Sequence, residues 1–149
     1  MGQKSSQISV RKPGAVLQYL EALAELSRAY FQLRHKHFSS WSGLLINDAH
    51  SDFAPLDKDR LRMARLLCIR VERIASRMGE ERVTCLVKTV AVKRMLARRS
   101  VSSCIRIGIN KSKISSQVSP TSLEAHAWLE LGDKTILGGD TGDEYIRFK

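Results

Sequence analysis

Apolar residues in this chain recur at helical spacing up to Arg99 and at every second position soon after it. In the first part, Val16, Leu17, Leu20, Leu23, Ala24, Leu26, Tyr30, Phe31 and Leu33 predict a helix with a one-sided apolar face. Pro13-Gly14 open it and His35-Lys36-His37 mark its end. A second helix has Asp57 or Asp59 as cap and Gly79 beyond its end. Leu61, Ala64, Leu67, Cys68, Val71, Ile74, Ala75 and Met78 form its buried stripe. The third helix, over residues 85–99, differs in kind. Leu86, Val87, Val90, Ala91, Val92, Met95 and Leu96 surround nearly its whole circumference, so its first two turns are expected inside the protein, with Thr84 as N-cap.

After the switch, Ile105, Ile107 and Ile109 alternate with Cys104, Arg106 and Gly108, the pattern of a half-buried strand. Residues 110–122, rich in Ser and Lys, read as a loop. Residues 125–131 and 135–140 then predict a hairpin around Gly132-Asp133-Lys134. Helices followed by antiparallel strands make an α+β fold. The expected organisation is one compact domain: a disordered tail over residues 1–12, a helical region over 13–80 and a catalytic core over 81–149. Trp41, Leu44, Leu45, Ile46 and Phe53 are expected to pin the loop after the first helix to the body.

Composition narrows the class. Hydrophobic residues at 43% and charged ones at 27% are ordinary for a soluble globular protein. No apolar run approaches the roughly 18 residues of a membrane span. The polar N-terminus carries no secretory signal, and Met1-Gly2-Gln3-Lys4-Ser5-Ser6 fits only a short, common N-myristoylation pattern. Three cysteines, an odd number without paired spacing, favour a reducing cytoplasm over a disulfide scaffold. With no C-x-x-C or H-x-x-x-H, neither metal nor cofactor is expected. His35 and His37 point different ways and read as helix-end residues, His50 as structural or exposed.

The net charge of +10 comes largely from Arg60, Arg62, Arg65, Arg70, Arg73, Arg77, Lys88, Lys93, Arg94, Arg98 and Arg99. Aromatic residues do not interleave with these, so stacking platforms for bases are missing. Solvated helix faces are the expectation; a basic nucleic-acid-binding adaptor is the non-enzymatic alternative.

The candidate chemistry is that of a cysteine hydrolase. A thiol attacks as thiolate and, with an ordinary pKa near roughly 8.5, needs help at neutral pH. Cys85 in the first turn of a helix receives it from unpaired N–H groups and the helix dipole. An imidazole can accept its proton and pass it to a leaving amine, and His126 is the candidate. A three-residue turn Gly132-Asp133-Lys134 would face Leu131 with Thr135 and stand His126 opposite Asp140. A two-residue turn would slip this register by one. Asp140 is therefore the orienting carboxylate, Asp143 the reserve and Asp133 a turn residue. Cys68 reads as a small hydrophobe and Cys104 as an inert strand residue. The Cys85 N–H is one oxyanion donor; Trp128 either walls the cleft or packs in the core.

Three segments, in order, carry a resemblance. Thr84-Cys85-Leu86-Val87-Lys88-Thr89-Val90-Ala91-Val92-Lys93-Arg94-Met95-Leu96-Ala97-Arg98-Arg99, Ile105-Arg106-Ile107-Gly108-Ile109 and Ala125-His126-Ala127-Trp128-Leu129-Glu130 resemble lasso-peptide leader peptidases, within the wider transglutaminase-like superfamily. Lys88 stands where arginine is usual, Ser100 where glycine is, and Leu129 where valine is. The resemblance implies a papain- or transglutaminase-like core, with the cysteine helix packed on an antiparallel sheet. It also implies removal of the leader from a lasso precursor, with Cys85 forming the acyl-enzyme, His126 acting as base then acid, and Asp140 orienting it. The chain is similar to the split form of the family. That form implies as partners the precursor peptide, a small leader-binding protein and the cyclase that closes the ring. A transglutaminase-like acyltransferase would use the same three residues.

Overall fold

Among the residues that the computed structural model describes, 14–43, 57–79, 82–110, 125–139 and 145–147, three long helices precede four strands. Helix α1 spans Ala15–His35, α2 Lys58–Met78 and α3 Cys85–Ala97, with a short 3-10 turn at Phe38–Ser40. Strands β1 (Cys104–Asn110), β2 (Ala125–Leu131), β3 (Lys134–Leu137) and β4 (Tyr145–Arg147) form one sheet in the order β3-β2-β1-β4, every neighbouring pair antiparallel. The α+β class is therefore the one the pattern predicts. The tail over residues 1–12 lies outside the described residues, as do Leu44, Leu45, Ile46, His50 and Phe53.

Helix α3 is the hub. Val90, Ala91, Val92, Met95 and Leu96 are all at most 1% exposed, so apolar neighbours do surround this helix. Thr89 is buried among them, and its hydroxyl is satisfied by donating to the Leu86 carbonyl at 2.9 Å. One cluster joins α3 to Leu26 of α1, Leu67 and Val71 of α2, and Ile105, Leu129, Leu131 and Leu137 of the sheet. Along α2 the predicted stripe is the buried one, with Ala64, Leu67, Cys68, Val71 and Ala75 inside, Asp57 as N-cap and Gly79 at the end.

Helix α1 corrects the sequence reading. Val16, Leu17, Leu20, Leu23 and Phe31, the bulk of the expected apolar face, are 44–73% exposed. The face turned inward is Ala22, Glu25, Leu26 and Ala29. Charge explains the rotation. Arg99 pairs with Glu21 at 2.5 Å and also donates to the Met95 carbonyl, while Arg98 pairs with Glu25 at 2.6 Å. Arg94 bonds to Gln32. The arginines at the end of α3 thus require the glutamates of α1 to face them, and the alanines beside those glutamates allow close approach. The hydrogen bond from Arg99 also holds the Glu21 carboxyl below its usual pKa.

The end of α3 shows what Ser100 does. The Ser100 N–H donates to the Ala97 carbonyl and the Val101 N–H to the Leu96 carbonyl, the two bonds of a Schellman motif. That motif needs a left-handed residue, and Ser100 supplies it at φ 54°.

The hairpin is built differently from expectation. Leu131 faces Lys134 across a two-residue turn, Gly132-Asp133, with Gly132 at φ 60° in the first turn position. Glu130 faces Thr135, and then the register shifts so that Leu129 faces Leu137. Ile136 is the surplus residue of a β-bulge. The shorter turn slips the register by one, and the bulge restores it before the strand reaches the histidine end. No described helix is long and apolar enough to cross a membrane.

Candidate active site

Thr84 opens α3, its Oγ1 accepting a hydrogen bond from the Val87 N–H at 3.5 Å. Cys85 is therefore the first helical residue, at the end where backbone N–H groups lack intrahelical acceptors and the dipole favours negative charge. It is half-buried, whereas Cys68 and Cys104 are buried. Burial pushes the Cys68 thiol up to about 12, with Glu72 adding to the shift, which removes it as a thiolate at neutral pH. Cys104 begins β1 with its sulfur near the Ile105 carbonyl, at 3.7 Å. None of the three forms a disulfide.

The Cys85 sulfur lies against β2. The Ala127 N–H donates to Sγ at 3.4 Å. Standard backbone dimensions then put the Cα of His126 within about 6 Å of the sulfur. So the thiol and the imidazole-bearing residue, 41 positions apart in the sequence, are brought together at one peptide group.

The ring of His126 is held from two sides. Its Nε2 is 2.7 Å from the Gly138 carbonyl oxygen. A carbonyl only accepts, so Nε2 carries the proton and, in the neutral ring, Nδ1 keeps the lone pair. The ring also stacks with Trp128, centroids 6.3 Å apart and planes 21° from parallel. Trp128 is fully buried, and its indole N–H donates to Glu130 Oε1 at 2.9 Å. Arg106 donates from Nε to the other Glu130 oxygen at 3.1 Å.

Gly138 is the site residue that the sequence reading missed. A Cβ there would come within 2.7 Å of the Trp128 Cβ, and the backbone stands at φ 100°, so only glycine fits. The Gly138-Gly139 pair at the strand's end was the available signal. Asp140 and Asp143, the expected carboxylates, lie outside the described residues. Asp133 sits exposed in the turn, where it was expected.

Residues 25–148 match the family described as the transglutaminase-like superfamily. Neither a curated protein nor a solved structure matches the chain. A match over most of the length, on a fold in which a helix-opening cysteine meets the histidine strand, establishes that this chain belongs to the transglutaminase-like superfamily.

Proposed function

We propose that the chain is a cysteine peptidase that removes the leader from a ribosomally made lasso precursor. The observation that carries this reading is the contact of the Cys85 sulfur with the His126–Ala127 peptide, beside an imidazole whose Nε2 is held by a carbonyl. In this reading the thiol proton passes to His126 Nδ1 as sulfur attacks the scissile carbonyl. The tetrahedral oxyanion is stabilised by the Cys85 N–H at the start of α3. Collapse breaks the C–N bond, and His126 returns the proton to the leaving amine. Water, deprotonated by the same ring, then attacks the acyl-enzyme and frees the leader carboxylate and the thiol. Asp140, two residues beyond Gly138, is assigned the carboxylate that orients and stabilises the imidazolium. The choice of substrate rests on the three family segments in the sequence, and so do the precursor, the leader-binding partner, the cyclase and a cytoplasmic setting.

Superfamily membership also supports acyl transfer by the same residues, which differs only in the group that attacks the acyl-enzyme. The experiment incubates precursor, leader-binding partner and this chain, with and without a primary amine, and weighs the products. A free leader carboxylate, formed by wild type and not by Cys85→Ala, is the expected result. An amide to the amine as the main product favours the acyltransferase, and cleavage by Cys85→Ala removes the nucleophile assignment.

A further inference from the structure

Glu130 is a carboxylate 7% exposed on a strand whose opposite face carries the apolar core. The two-residue period of β2 puts His126, Trp128 and Glu130 on one side and Ala127, Leu129 and Leu131 on the other. The sheet register sets Arg106 directly across from Trp128. A buried carboxylate is costly unless paired, and a well-packed apolar residue would commonly serve stability as well. The two oxygens of Glu130 have different tasks. One accepts the indole N–H of Trp128 and the other accepts the Arg106 guanidinium. The first bond fixes the rotation of the indole, and the second fixes the carboxylate.

Trp128 in turn touches both things that define the imidazole. Its ring faces that of His126, and its Cα and Cβ form the seat on which Gly138 rests without a side chain. The Gly138 carbonyl then meets Nε2 at 2.7 Å. Turning the indole therefore moves the surface behind the imidazole, while the Trp128 Cα and Cβ keep Gly138 and its carbonyl in place beside it.

We propose that Glu130 is a positioning residue for His126, acting through Trp128, with Arg106 as the group that holds it. The inference rests on the reading of Cys85 and His126 as thiol and base. It makes the outer face of β2 part of the machinery and leaves the proton transfer to the ring itself.

The test needs no peptide substrate. Iodoacetamide alkylation of Cys85 in the full chain is followed from pH 5 to 9 by mass spectrometry of its peptide. Wild type is expected to show a low-pH inflection from a thiolate–imidazolium pair, which His126→Ala abolishes. Glu130→Leu, with unchanged circular dichroism, is expected to lower the rate at pH 6 by roughly tenfold, equivalent to about one unit in the inflection. Glu130→Gln, which keeps an acceptor for the indole, should stay within roughly threefold of wild type. If Glu130→Leu does not fold, Arg106→Gln serves instead, because the arginine side chain is 43% exposed, and a threefold loss is expected. A folded Glu130→Leu, or in its place Arg106→Gln, with the wild-type profile overturns the positioning role. A wild-type inflection that survives His126→Ala overturns the thiol–imidazole reading itself, so the two failures are told apart.

Discussion

Cys68 and Cys85 are the same side chain on neighbouring helices, set in opposite surroundings. Cys68 sits midway along α2, in a row with Ala64, Leu67, Val71 and Ala75, where burial makes ionisation costly. Cys85 opens α3, half-exposed, with a strand N–H pointing at its sulfur. Where a helix begins, and what meets that beginning, decides the fate of a thiol more than the apolar or polar character of the helix. Helix α3 is the more deeply buried of the two, yet it carries the accessible sulfur.

The largest contrast is in turnover. In the assay with precursor and partner, Cys85→Ala is expected to abolish cleavage, whereas Cys68→Ala keeps most of it if the protein folds. Equal loss in both would erase the distinction. Next comes the support of the imidazole. Gly138→Ala forces a side chain onto Trp128 at a left-handed position, so a loss of about 1–3 kcal/mol in stability is expected. The low-pH reactivity of Cys85 should fall with it, while Cys68 stays unreactive. Urea midpoints and alkylation rates measure the two.

A smaller effect belongs to the cap. Thr84→Ala removes the acceptor for the Val87 N–H and should cost about 0.5–1 kcal/mol, the low end for caps because the bond is long at 3.5 Å. The same change frays the turn that holds Cys85, so its reactivity should fall, whereas that of Cys68 should not. A last contrast appears only at alkaline pH. The folded-state pKa of Cys68 lies at about 12, well above the ordinary thiol range. Its contribution to stability is whole below the ordinary value and is lost as pH rises from there through the folded value. Urea midpoints between pH 8 and 11 should therefore fall less steeply for Cys68→Ala than for wild type.

The helices of this molecule were easier to read in existence than in orientation. The stripe on α2 is the buried one because apolar packing decides its rotation. On α1 two demands compete, and the pairing of Glu21 and Glu25 with Arg98 and Arg99 outweighs the burial of Leu17 and Leu20. That pairing joins residues more than seventy positions apart, which a local pattern cannot register. The places of Cys85 and His126 were legible because a helix start and a strand are local features. Gly138 was not, since the Gly138-Gly139 pair signals only the end of a strand, and the demand for glycine comes from the neighbouring strand's Trp128. The turn before it was misjudged by one residue, because two- and three-residue hairpin turns differ by a choice the turn residues Gly132 and Asp133 do not force.

The two-residue turn has a bearing on how the hairpin can change. Turn length and the surplus Ile136 are two terms of one reading frame, since each displaces the facing strand by a single position and together they cancel. A turn longer by one residue, over 132–134, and a strand without the bulge would therefore give Leu129 the same partner, Leu137. Relatives or engineered versions that trade one for the other would keep the glycine carbonyl in line with the imidazole through a different path of the chain.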